Sequence, residues 1–191
     1  MSSTGANDRG AVLTRAAAAE TLGADPNTTR LLADADDTGG SMNAVRTTLG
    51  RGVDGPPPHY HANSPELFFV LGGSLQVLTG EEVVSVGEGD FLLVPPYMAH
   101  AWGTGPETGA DVLIIKAPGD NRFEYFRLVD RIRKGEASPQ EILATQDRFD
   151  NHFVDSRIWR ETRAKTVGGT AEHLVAMPSG ESGSPADRER P

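Results

Sequence analysis

The side chains of this chain best suited to chemistry are His59 and His61, one residue apart, then Glu66 five positions on, and a separate His100. Three of the five histidines fall in this set. On a β-strand, residues i and i+2 project from one face, so two imidazoles at that spacing can point at one spot. Imidazole nitrogen and carboxylate oxygen together suit first-row divalent metals, and a site with open positions can take water or substrate. Glu66 stands at odd separation from His61, and an unbroken strand would turn it to the opposite face. Asn63-Ser64-Pro65 supplies the residues for a bend or bulge that brings it round.

Composition narrows what such a site can be. A length of 191 residues suits one domain with some chain left over. The net charge of −9 argues against nonspecific nucleic-acid binding, which relies on lysine and arginine to neutralise phosphates. There is no cysteine, which excludes disulfides, zinc-thiolate sites, iron–sulfur clusters and cysteine nucleophiles. Residues 1–10 lack the basic-then-apolar order of a signal peptide. The run Ala16-Ala17-Ala18-Ala19 is too short to span a bilayer. The expectation is a cytoplasmic protein with no membrane association.

The elements that must position the histidines are strands. Short apolar runs separated by glycine and proline place strands near Asn43–Leu49, His59–His61, Glu66–Leu71, Ser74–Leu78, Val83–Val86, Phe91–Val94, Ala99–Trp102 and Asp111–Lys116. Gly72-Gly73 reads as a hairpin turn and Gly80-Glu81 as another turn. Leu67-Phe68-Phe69-Val70-Leu71 is apolar on both faces and is expected to be buried on both sides. Many short strands with close turns indicate an all-β sandwich or barrel. Before it, residues 1–10 are expected to be disordered, Val12–Leu22 to form a short Ala-rich helix stopped by Gly23, and Asp34–Gly40 to form an acidic loop. After it, Asn121 is expected to cap a helix carrying Phe123, Phe126, Leu128, Val129 and Ile132, ended by Gly135. Ser138-Pro139-Gln140-Glu141 opens a second helix. These helices pack on the barrel or close one end of it. The predicted organisation is an N-terminal arm over 1–40, a barrel over 41–117, a helical extension over 118–163 and a disordered tail over 164–191.

Two motifs stand out along the strands. The first is Gly55-x3-His59-x-His61-x4-Glu66 closed by Gly72-Gly73, and the second is Gly89-x5-Pro95 followed by His100. This pair resembles the two motifs of the cupin superfamily, over about residues 41–117. The resemblance implies a double-stranded β-helix, or jelly-roll barrel, with His59, His61, Glu66 and His100 as the four ligands of one divalent transition metal (Fe, Ni, Mn, Cu or Zn). Tyr97 replaces the usual motif glycine and Thr104 the usual asparagine, which affects local turn shape and removes no ligand.

The segment Pro118 to Phe126 looks like the region after the barrel in small single-domain cupins related to quercetin 2,3-dioxygenase. That resemblance implies a dioxygenase acting on a small aromatic or enolic compound with O₂. Glu66 would be the general base, its pKa raised by desolvation, and Phe68, Tyr97 and Trp102 would wall the substrate pocket. Met42 and Met98 are further candidates for the entrance. Arg46 and Lys116 are read as solvated outward residues or as groups orienting an anionic or phenolic substrate. His152 and His173 lack ligand spacing to the cluster. Two alternatives stay open: a non-redox metal cupin (isomerase, cyclase or dehydratase), and a ligand-binding cupin that is not an enzyme. The expected partner besides the small-molecule substrate is a second copy, as a homodimer.

Overall fold

A computed structural model describes residues 10–166. The disordered segments expected at the two ends, and His173, lie outside the described residues, except that Gly10 is described and residues 164–166 close the last helix. The elements in chain order are β1 (Thr21–Ala24), β2 (Asn27–Ala33), α1 (Ala35–Thr38), β3 (Asn43–Leu49), β4 (His59–Tyr60), β5 (Glu66–Thr79), β6 (Glu82–Gly87), β7 (Phe91–Val94), β8 (His100–Gly103), β9 (Ala110–Lys116), α2 (Phe123–Arg133), α3 (Pro139–Leu143), β10 (His152–Phe153) and α4 (Arg157–Thr166).

All pairings are antiparallel and run in the order β1-β2-β3-β9-β5-β8-β4-β10, with β6 and β7 both also paired to β5. The N-terminal part of β5 pairs with β7 and β9, and its C-terminal part with β6 and β8. One strand thus belongs to both layers of an all-β jelly roll. Its inward residues Phe68, Val70, Leu75 and Val77 meet Val45, Val112, Ile114 and Trp102 in the main core. Burying such side chains contributes about 1.5–3 kcal/mol each.

The expected hairpin at Gly72-Gly73 is instead a bulge inside the 14-residue β5. Pairing with β9 skips a residue between Val70 and Gly72. Gly73 has φ 73°, and a Cβ there would collide with the Gly109 carbonyl. Glycine permits the corner; it does not reverse the chain. The real hairpin lies at Gly80-Glu81, between the paired Thr79 and Glu82. Nor is β5 buried on both sides: Leu67 is half-buried, and Phe69 and Leu71 are exposed on its outer face.

The Ala-rich helix expected over Val12–Leu22 does not form. Ala16–Ala19 forms a turn instead, and Thr21–Ala24 is a strand on β2, itself paired to β3. A short alanine run gives too few turns to repay helix nucleation, whereas Leu31 of β2 gains burial in the core. The acidic loop instead contains α1, with a capping box on Asp34 and Asp37. That same Asp34 accepts from the backbone N–H groups of Arg122 (2.9 Å) and Phe123 (3.2 Å), so it caps α2. Asn121, the expected cap, donates to Asp36 instead. The capping box expected for α3, with Ser138, Pro139 and Glu141, is present.

Candidate metal centre

His59 lies on β4, opposite His100 on β8 in direct register. The chain then bends at Ala62 and Asn63, where the Asp150 carboxylate accepts from both backbone N–H groups, at 2.8 and 3.0 Å. Ser64 Oγ donates to the Pro118 carbonyl at 2.6 Å. The bend expected at Asn63-Ser64-Pro65 therefore delivers Glu66 to the start of β5 with its side chain inward. His59, His61, Glu66 and His100 are all buried, and each places a ligand atom within 4.8 Å of the others.

Hydrogen bonds fix the chemical form of the imidazoles. Nδ1 of His59 faces the Pro57 carbonyl at 2.8 Å, Nδ1 of His100 faces the Met98 carbonyl at 2.9 Å, and Nδ1 of His61 faces the Asp150 carbonyl. A carbonyl only accepts, so each Nδ1 carries the proton and donates. In the neutral ring Nε2 is then a bare lone pair. Burial first, and the neighbouring imidazoles second, hold His59 well below the ordinary histidine pKa; burial also lowers His61. Nε2 of His100 lies 3.0 Å from Glu66 Oε2, and Nε2 of His61 lies 3.6 Å from Glu66 Oε1 without a hydrogen-bond partner. Between these nitrogens and the carboxylate oxygens either a proton, as in the His100–Glu66 hydrogen bond, or a metal cation satisfies the buried polar atoms. The donor set, three imidazole nitrogens and one carboxylate, fits a divalent transition metal.

Glu66 departs from expectation in one respect. Burial alone pushes its carboxyl pKa up, but hydrogen bonds and charge from the His100 and His61 rings, when Nε2 carries a proton, outweigh burial and hold it well below the usual carboxylate range. It is an ionised carboxylate, suited to holding a cation.

A cavity opens between the barrel and α2, lined by His59, Glu66, Trp102, Tyr125, Phe126 and Arg133 among others. Of the three expected pocket residues, Trp102 lines it. Phe68 is wholly buried in the core, edge-on to Trp102 at 6.2 Å, and does not line it. Tyr97 is 72% exposed, outside the cavity, its ring 6.0 Å from that of Tyr60. Its φ of 63° is the left-handed conformation that a glycine would adopt without strain. Thr104 takes up the turn bonding: its hydroxyl donates to Gly50 O at 2.6 Å and accepts from Val53 N at 2.9 Å. Met98 is partly buried against the core and Met42 is exposed.

Arg46 is an outward residue paired with Asp111. Lys116 is not: it is 1% exposed, sits in register with Glu66, and its Nζ lies 2.9 Å from Asp120 and 3.8 Å from Asp150. Burial lowers its pKa, with Asp120 opposing. Sequence reasoning did not single out Asp150, Arg122, Tyr125 or Arg133, because their roles depend on contacts across the fold. His152 forms a strand pair with Tyr60, stacks on its ring at 5.0 Å, and places Nε2 3.3 Å from Asp150.

A family model described as a cupin domain matches residues 45–115, the span from β3 to β9. The barrel is a cupin fold. Similar solved structures include an RmlC-like cupin from Shewanella frigidimarina (17% identity, 61% of this chain and 96% of that one, TM-score 0.49). KdgF from Halomonas sp. is also similar (21% identity, 52% and 86% covered, TM-score 0.44). So is Pac13, a Streptomyces nucleoside dehydratase (19% identity, 55% and 79% covered, TM-score 0.44). No curated protein matches the chain. Among the described residues, no helix is long and apolar enough to cross a membrane.

Proposed function

We propose that His59, His61, Glu66 and His100 hold one divalent transition metal, and that the protein is a metal-dependent enzyme, a dioxygenase acting on a small aromatic or enolic compound. The observation that carries this reading is that three Nδ1 contacts to backbone carbonyls turn the buried Nε2 atoms and the Glu66 carboxylate towards one point, with ligand atoms within 4.8 Å of one another. A bound metal would supply Lewis acidity and, if redox-active, a site for O₂. The chain's own residues do the rest. The His59 and Glu66 side chains face the cavity, and Trp102, Tyr125 and Phe126 offer aromatic walls that exclude water and orient a flat substrate. In this reading a Glu66 oxygen accepts the substrate's hydroxyl proton.

The test is metal analysis of protein purified without added metal, followed by oxygen-electrode assays on phenols and enols. Iron, nickel, manganese or copper with O₂ uptake supports the reading. Zinc with no O₂ uptake replaces it with a Lewis-acid isomerase, cyclase or dehydratase. A metal-free protein that still binds small molecules leaves a ligand-binding cupin.

A further inference from the structure

Helix α2 presents one face to the cavity: Arg122 just before it, then Tyr125, Phe126, Val129 and Arg133 at helical spacing. The two arginines differ. Arg122 is buried and committed, donating to Phe149 O at 2.6 Å and Asn151 Oδ1 at 3.3 Å, and stacking 4.5 Å over the Tyr125 ring. Arg133 makes no hydrogen bond and no ion pair among the described residues. Its neighbours on the helix all do: Arg127 pairs with Glu20 and Glu124, Arg131 with Glu141, and Lys134 with Asp130. In a chain of net charge −9, a cation at a cavity rim with no carboxylate in ion-pair contact is conspicuous. The surrounding protein lowers its pKa by desolvation, with Tyr125 and Asp130 opposing.

The cavity is also graded along its length. Arg122, at the start of the helix, is near enough to His61 to act on its charge. Arg133 follows eleven residues later, about 16 Å along a helix rising 1.5 Å per residue. Tyr125 and Phe126 stand between, and the Tyr125 hydroxyl forms no hydrogen bond among the described residues. One end of the cavity is thus an imidazole–carboxylate cluster, the middle is aromatic and the far rim is an unpaired guanidinium.

We propose that the substrate is an elongated aromatic compound with a carboxylate remote from its reacting hydroxyl, and that Arg133 is the specificity-determining residue that holds this carboxylate. The proposal rests on reading the histidine–glutamate cluster as the reacting end. A guanidinium meets a carboxylate through two parallel N–H donors, which a neutral amide cannot match.

The probes are 3-(4′-hydroxybiphenyl-4-yl)propanoate, whose two rings suit the length of the cavity, and its neutral amide, titrated calorimetrically into the full chain, both metal-loaded and after chelator treatment. Wild type should prefer the carboxylate by about tenfold or more. Arg133→Gln should erase the preference while leaving amide affinity unchanged, and Arg133→Lys should retain part of it. A preference that survives chelator but disappears in Arg133→Gln supports the proposal even if the metal-enzyme reading fails. A preference lost on chelation and unchanged in Arg133→Gln would mean that the carboxylate goes to the metal, and would overturn it. Equal binding of the two probes to wild type, or binding of neither, overturns it as well.

Discussion

The His61 imidazole donates from Nδ1 to the main-chain carbonyl of Asp150, a residue 89 positions further along the chain. The ligand comes from the barrel and its orienting acceptor from the extension beyond it. Asp150 reinforces the contact, since its carboxylate holds the backbone of Ala62 and Asn63 directly after His61. Its φ of 46° is left-handed, so Asp150→Gly keeps the backbone and deletes only the carboxylate. The variant is expected to fold and to lose about 10–100-fold in metal affinity, the usual effect of removing a group that orients a ligand. Competition titration with a chromophoric chelator measures this; unchanged affinity would show that the barrel alone orients His61.

Metal should stabilise the native chain. At about a hundredfold excess over Kd, binding adds about 2.7 kcal/mol. For a chain of this size that raises Tm by roughly 5–10 °C. Chelator should reverse the rise. In Glu66→Gln a neutral amide replaces the carboxylate, and the metal-dependent rise should shrink to within error. A full-sized rise in that variant is incompatible with Glu66 as a ligand.

Acid should weaken the attachment of β1 to α2. Asp130 accepts from Gly23 N at 3.0 Å and pairs with Lys134 at 2.7 Å. Burial pushes its pKa up, but the Lys134 and Gly23 bonds outweigh burial and lower it. A carboxyl with a depressed native pKa contributes stability that is full above its unfolded value of about 3.9 and fades as pH falls through the native value. Asp130→Asn should therefore melt a few degrees below wild type near neutral pH, with the gap closing in acid. Melting curves across a pH series decide it; a gap that stays constant into acid would assign the loss to packing.

The outer face of the β7–β5–β9 sheet should be covered by a second copy. Phe91 (60% exposed) pairs with Phe69, and Leu93 (48% exposed) with Leu67. Leu113 and Ile115 of β9 continue the two rows. The charges bordering this face, Arg46 and Asp111, pair with each other, so two copies with net charge −9 meet there with reduced repulsion. Sedimentation should show a dimer at micromolar concentration, and Phe91→Lys a monomer with unchanged secondary structure. A monomeric wild type refutes the homodimer.

Much of this was legible in the chain. His-x-His, the bend residues and His100 mark the centre because ligand type and strand parity are local properties. Gly72-Gly73 misled for a physical reason: glycine marks a positive φ, which a bulge needs as much as a turn does. Leu67–Leu71 looked doubly buried because periodicity cannot tell an inner layer from an apolar outward face. The alanine run lost to strand pairing that only β3 could offer. Asp150 and Arg133 were silent, and Lys116 was read as outward-facing or substrate-orienting though it is buried, because a charged residue takes its role from what lies across the fold, and nothing in its own segment records that.

Asp34 reaches from before the barrel to cap the helix that follows it. The segments on either side of the barrel are thereby fastened to each other as well as to the sheet, like the two ends of a belt. Leu22 and Thr28 on one end, and Tyr125 and Arg133 on the other, face the same cavity. What the centre can do is thus written in the barrel, while what it is allowed to meet is written in the belt. Substitutions in the belt can retune admission without disturbing a single ligand.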